Sequence, residues 1–188
     1  MRRDKSRLFF GIYHLMPVTP FHIIAAAPIK AIIPRYFSWS IFTLTNIFID
    51  LEPITYFIFT GIPSHKFFHS ILGATLIALI CAFYFRKLCE NYITRWNKNL
   101  HPIDRKWFEV KNSKISLFEG VIGGLIGAWS HLILDSMMHH DIKPLWPFIN
   151  INPLINYSSS NNITLYITLG LFTCGFLIFI LKKIIYGR

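Results

Sequence analysis

LFEGVIGGLIGAWSHLILDSMM, residues 117–138, decides the fold. It has the length of a bilayer crossing, and its only charges are Glu119 near the start and Asp135 near the end. Gly120, Gly123, Gly124 and Gly127 recur at helical spacing and present a smooth face for close helix packing. His131 and Asp135, four residues apart, fall on one face of the same helix. A segment that pairs a lipid-compatible body with an ionisable end predicts a membrane helix that carries chemistry.

The rest of the chain supports that reading. Ile163–Leu181 is an uncharged run closed by Lys182 and Lys183, and it predicts a second span. Ser70–Phe85, ending at Arg86 and Lys87, predicts a third, and Trp39–Gly61 a fourth, interrupted by Asp50, Glu52 and Pro53. Phe21–Ile33 is apolar but only about half a crossing, and prolines at 17, 20, 28 and 34 divide it. It predicts a short or re-entrant helix; a secretory signal, with Arg2, Arg3, Lys5 and Arg7 before it and Ala25–Ala27 as a cleavage site, is the competing reading. The expected fold is therefore all-α: a polytopic transmembrane bundle of about four full spans plus that N-terminal piece, forming one integral membrane domain over residues 1–188.

Composition agrees. Of 188 residues 53% are hydrophobic and 15% charged, where soluble domains average about 25% charged. The net charge of +10 does not mark a nucleic-acid binder, because the basic residues sit in short blocks beside apolar runs. Between Arg86 and Lys114 there are eight Lys/Arg against three acids, whereas the links 62–68 and 139–162 carry one lysine each. The positive-inside rule places a basic 86–114 loop in the cytoplasm with both chain ends. Cys81, Cys89 and Cys174 form no CxxC pair and predict neither a disulfide framework nor a thiolate metal site.

In this topology His65 and His69 lie at the outer end of their hairpin, and the helix from Leu117 brings His131, Asp135 and His139 to the same side as one slowly turning stripe. Asp50 and Glu52 are costly inside an apolar run and call for partners. Residues two apart face opposite ways on a helix, which makes Asp50 the ligand and Glu52 a cap or a support. His22 follows a Thr-Pro-Phe turn and is a further candidate, against the simpler reading of a hydrogen-bonded packing residue that also applies to His14. The metal set is thus His22, Asp50, His65, His69, His131, Asp135 and His139. Imidazole and carboxylate suit zinc and other divalent first-row ions, and the absence of cysteine favours a catalytic over a closed structural site. A metal held there would acidify water and polarise a substrate oxygen. His140, His101 and Asp104 are read as solvated, and Trp146-Pro147-Phe148 as an interfacial anchor that could also wall a lipid cleft.

The ordered pieces Thr19-Pro20-Phe21-His22, Ile49-Asp50-Leu51-Glu52-Pro53, His65-Lys66-Phe67-Phe68-His69-Ser70, His131 with Asp135 and His139, and Leu145-Trp146-Pro147-Phe148 resemble the YdjM-like family of bacterial membrane-bound, metal-dependent hydrolases. Ile49 stands where that family has proline, Glu52 where it has aspartate, and the histidine pair lacks its usual arginine. The motif layout is similar to that of zinc-dependent phospholipases C and fungal zinc nucleases, with His131 and Asp135 matching their His-x-x-x-Asp element. The resemblance implies a bacterial inner-membrane location and hydrolysis of a phosphoester such as a phospholipid or lipid-linked phosphate, while the topology above puts the zinc-type site toward the outer leaflet. Asp50, His131 and Asp135 would then be the catalytic residues and membrane lipid the partner. Two rivals remain, a metal or proton transporter and a non-catalytic metal-binding membrane protein. A topology reporter fused after Lys98 is expected to read as cytoplasmic; an external reading reverses the orientation.

Overall fold

The computed structural model describes residues 20–110, 112–155 and 162–186. His14, Pro17, Thr19 and the basic N-terminal residues lie outside them. The described residues are helical and contain no β-strand. In chain order the helices are α1 (Pro20–Ala25), α2 (Ala27–Ile32), α3 (Trp39–Thr60), α4 (Ile71–Asn99), α5 (Pro102–Phe108), α6 (Leu117–Ser136) and α7 (Asn162–Tyr186). Among the described residues α3, α4 and α6 are long and apolar enough to cross a membrane, and Tyr166–Lys182 within α7 is a shorter apolar stretch. This is an integral membrane helical bundle.

Local chemistry sets the helix ends. Ser38 caps α3 by accepting from the Ile41 N–H, and Gly61 ends it with φ 77°, a left-handed conformation that glycine adopts without strain. Pro53 is buried inside α3, yet the helix runs through it rather than breaking. Ser116 and Glu119 form a reciprocal capping box at the start of α6. Ser70 caps α4 through the Gly73 N–H, and the Ile71 N–H is anchored 2.8 Å from the Pro144 carbonyl.

Two boundaries differ from the sequence reading. The span expected to stop at Phe85 continues through a π-helical turn, Cys81–Phe85, to Asn99. No glycine or proline occurs between Gly73 and Pro102 to stop it. The basic 86–114 segment is therefore mainly helix, not loop. Its return leg is tied back by Trp96 Nε1 donating to Phe108 O, the Asn97 amide paired with the Val110 backbone, and the Ile115 N–H donating to Glu90. Phe21–Ile33 forms the two short helices α1 and α2; α1 packs on α3 and α6, and both lie against α7.

The core is built where α6 crosses α3 and α4. A Cβ on Gly123 would come within 2.5 Å of the Ser38 carbonyl, one on Gly124 within 2.9 Å of Ala78 O, and one on Gly127 within 3.0 Å of Phe42 O. The glycine face thus lets α6 approach backbone to backbone, and the facing α4 residues Ala74, Ala78 and Ala82 are small for the same reason. Gly123→Leu is expected to destabilise the bundle by at least about 1–3 kcal/mol through overpacking, read as a lower melting temperature in detergent. Gly170→Ala, where nothing described lies within 4 Å of the new Cβ, is expected to leave it unchanged.

Candidate metal centre

The deep end of the bundle collects ionisable side chains from every element around it. α6 contributes His131 and Asp135, α3 contributes Asp50, and α1 contributes His22. The turn before α4 contributes His69, one residue ahead of the Ser70 cap. His69 and His131 are fully buried, His22 and Asp135 nearly so, and Asp50 half-buried.

Asp135 is the hub. Its Oδ1 lies 3.1 Å from His22 Nε2, and its Oδ2 lies 3.1 Å from His131 Nε2 and 3.4 Å from His69 Nε2. His131 Nε2 is also 3.2 Å from Asp50 Oδ1. Donor atoms of Asp50, His69, His131 and Asp135 all fall within 4.8 Å of one another. Tetrahedral coordination at about 2.0–2.1 Å places neighbouring donors about 3.3 Å apart, which matches these separations.

The tautomers sharpen the point. Asn46 Nδ2 donates to Phe42 O at 2.8 Å, so its Oδ1 is an acceptor and lies 2.9 Å from His131 Nδ1. His131 therefore carries a proton on Nδ1 and turns its Nε2 toward two carboxylates. Glu52 does the same for His69, with Oε2 3.1 Å from Nδ1, and it also accepts from the Lys66 and Phe68 N–H groups. Among the described residues neither Nε2 has a hydrogen-bond partner, close as the carboxylates are. Buried imidazole nitrogens converging with carboxylate oxygens call for positive charge between them, as a metal ion or as protons on Nε2. The fit to a divalent metal rests on this pair of orphaned nitrogens.

A second group adjoins the first. His65, His139 and Asp141 also bring ligand atoms within 4.8 Å of one another, and the His65 ring sits 4.5 Å from that of His69 and 4.4 Å from that of His139. Asp141 accepts from the His65 backbone N–H at 2.8 Å and lies 3.0 Å from its Nδ1. Burial pushes the Asp141 carboxyl up, but the His65 hydrogen bonds prevail and hold it well below the usual range. Burial pushes His139 down to about 4, leaving its imidazole neutral at physiological pH.

All seven histidines and aspartates expected as ligands are thus in or beside one region, in two groups, and His139 leaves the stripe expected for it with His131 and Asp135. α6 ends at Ser136, so His139 lies in the following turn and joins His65. Two supporting residues escaped the sequence reading. Asn46 had a signal, a carboxamide one turn before Asp50 in an apolar helix. Asp141 had only its place beside the histidines. Glu52 was expected as a cap or support, and it serves both the loop and His69. His140 and His101 are exposed, and His101 lies at the N-cap of α5. Trp146 packs edge-on against Phe67.

Fold and site together define a helical membrane protein with a buried histidine–carboxylate cluster suited to a metal. The chain belongs to the YdjM inner membrane protein family, whose model matches residues 11–186. No curated protein and no solved structure matches it. Because Asn46 holds His131, a candidate ligand, by Nδ1, Asn46→Ala is expected to weaken metal binding by about 10–100-fold while the protein stays folded, as read by competition with a metal chelator.

Proposed function

We propose that this chain is a metal-dependent phosphoester hydrolase of the inner membrane, with a divalent metal, zinc by donor type, held by Asp50, His69, His131 and Asp135. The observation that carries the reading is the pair of buried, orphaned Nε2 atoms of His69 and His131 facing the Asp50 and Asp135 carboxylates. When bound, a divalent cation supplies Lewis acidity, polarising a phosphoryl oxygen and acidifying water.

The chain's own residues do the rest. Asn46 and Glu52 hold the Nδ1 side of the two imidazoles and direct Nε2 toward the metal position, the orientation that outer partners of metal sites commonly enforce. His22 holds Asp135 by the oxygen directed away from His69 and His131, which sets the carboxylate's angle. His65 spends Nδ1 on Asp141, so its Nε2 carries the lone pair and can accept a proton when water adds across a P–O bond. Phe67 and Trp146 flank this end of the bundle and form an apolar wall. A phospholipid or lipid-linked phosphate is the substrate class that suits a polar site inside an apolar bundle, and the motif order shared with membrane hydrolases favours the same class.

A protonated, metal-free cluster is the reading to beat. Protons on both Nε2 atoms would pair with the same carboxylates, and the metal content of the purified protein separates the two readings. Transport needs a polar route to the far end, and along Leu72–Phe85 the hydroxyl of Thr75 is engaged by Trp129 Nε1.

Metal analysis by mass spectrometry on detergent-purified protein is expected to find near-stoichiometric metal in the wild type. His131→Ala and Asp135→Ala are expected to lower it at least about tenfold, with loss of hydrolysis across a phospholipid and lipid-phosphate panel. A folded wild type that takes up no metal after zinc is added back overturns the reading. Metal without turnover on any phosphoester leaves a metal-binding membrane protein that is not a hydrolase.

A further inference from the structure

A cavity of 430 Å³ lies between α2 and α7, at the opposite end of the bundle from the histidine cluster. Its position follows from the contacts around it: Ser38, beside the lining residue Trp39, donates its N–H to Glu119 O in the first turn of α6, whereas the cluster lies on the last turns. The volume is in the usual range for small-ligand sites.

The lining is strongly polarised along its length. Phe172, Phe176 and Phe179 form one apolar stripe on α7, with the first two rings stacked at 6.3 Å. Lys182, one turn further on, and Lys30 of α2 supply two ammonium groups. From Phe172 to Lys182 the rise is about 15 Å at 1.5 Å per residue. The charged end thus lies at the close of the apolar stretch Tyr166–Lys182, and the aromatic stripe runs back toward its middle.

Both lysines are positioned but not saturated. Lys30 Nζ donates to Pro34 O at 3.2 Å and Phe37 O at 2.9 Å, and Lys182 Nζ donates to Ala31 O at 2.5 Å. An ammonium has three donors, so among the described residues each retains capacity for a further acceptor. No lining residue is acidic. Glu119, whose charge reaches Lys30, gives one oxygen to the Ser116 N–H at 2.7 Å. Two fixed cations at the membrane boundary beside an apolar groove leading inward match an anionic head group with an acyl chain.

We infer that this cavity is a binding site for an anionic phospholipid, its phosphate between Lys30 and Lys182 and an acyl chain along Phe172, Phe176 and Phe179. The site is independent of the hydrolase reading, because it shares no residue with the metal cluster. It would clamp α7 to α2, the contact through which the C-terminal helix is chiefly held to the rest of the chain.

The test is native mass spectrometry of the full-length protein in detergent, titrated with phosphatidylglycerol, phosphatidylcholine or inorganic phosphate. Phosphatidylglycerol is expected to bind about thirtyfold more tightly than phosphatidylcholine, and Lys182→Gln to reduce that preference about fivefold, one lysine's share of the two. Lys30 also ties two carbonyls, so its variant could lose the fold; the wild-type head-group comparison and Lys182→Gln decide without it. Equal binding of the two lipids, a preference unaltered in Lys182→Gln, or displacement of phosphatidylglycerol by millimolar inorganic phosphate overturns the inference.

Discussion

Asp135 is a carboxylate almost wholly removed from water and surrounded by three imidazoles, those of His22, His69 and His131. An ion in such a place costs several kcal/mol unless it is matched by opposite charge and hydrogen bonds. Much else in this end of the bundle can be read as the means of meeting that cost. α1 is too short to cross a bilayer, yet it lies where it delivers His22. The turn before α4 is pinned by Glu52 and by the Ile71–Pro144 bond, and it delivers His69.

Close packing makes the cluster possible. His131 can reach Asp50 and Asn46 only because α6 meets α3 with glycine at the crossing, where side chains would hold the backbones apart. One face of α6 therefore has two duties along its length: small residues set the distance, and one or two turns later the ligands use it. The same economy appears on α3, where Phe42, Asn46 and Asp50 are spaced by four and respectively pack against α6, hold His131 Nδ1 and approach His131 Nε2.

The two ends of the molecule are chemically opposed. The cluster end gathers carboxylates and imidazoles around a site that calls for a cation. The other end gathers lysines beside an apolar groove and calls for an anion. α7 belongs mainly to the second, since it lies against α1 and α2 and leaves most of its described side chains exposed, as expected of a helix that faces lipid.

The sequence by itself determined that this is a helical membrane protein and where α3, α6 and α7 run within a few residues, and it singled out seven histidines and aspartates that the fold brings close together. Apolar length, flanking lysines and the expense of a charge in lipid are local properties, legible in one dimension. Tertiary structure alone decided that α4 continues past Phe85, because a helix ends where a stop signal or a competing contact ends it and residues 86–99 offer neither. It alone divided the ligands into two groups, since the turn after Ser136 carries His139 off the helical stripe and toward His65. It alone revealed Asn46 and Asp141 as partners of His131 and His65, residues 85 and 76 positions away in the chain, for which spacing gives no signal. Tautomers, orphaned nitrogens and the Lys30–Lys182 pair are properties of surroundings, and surroundings exist only once the helices have packed.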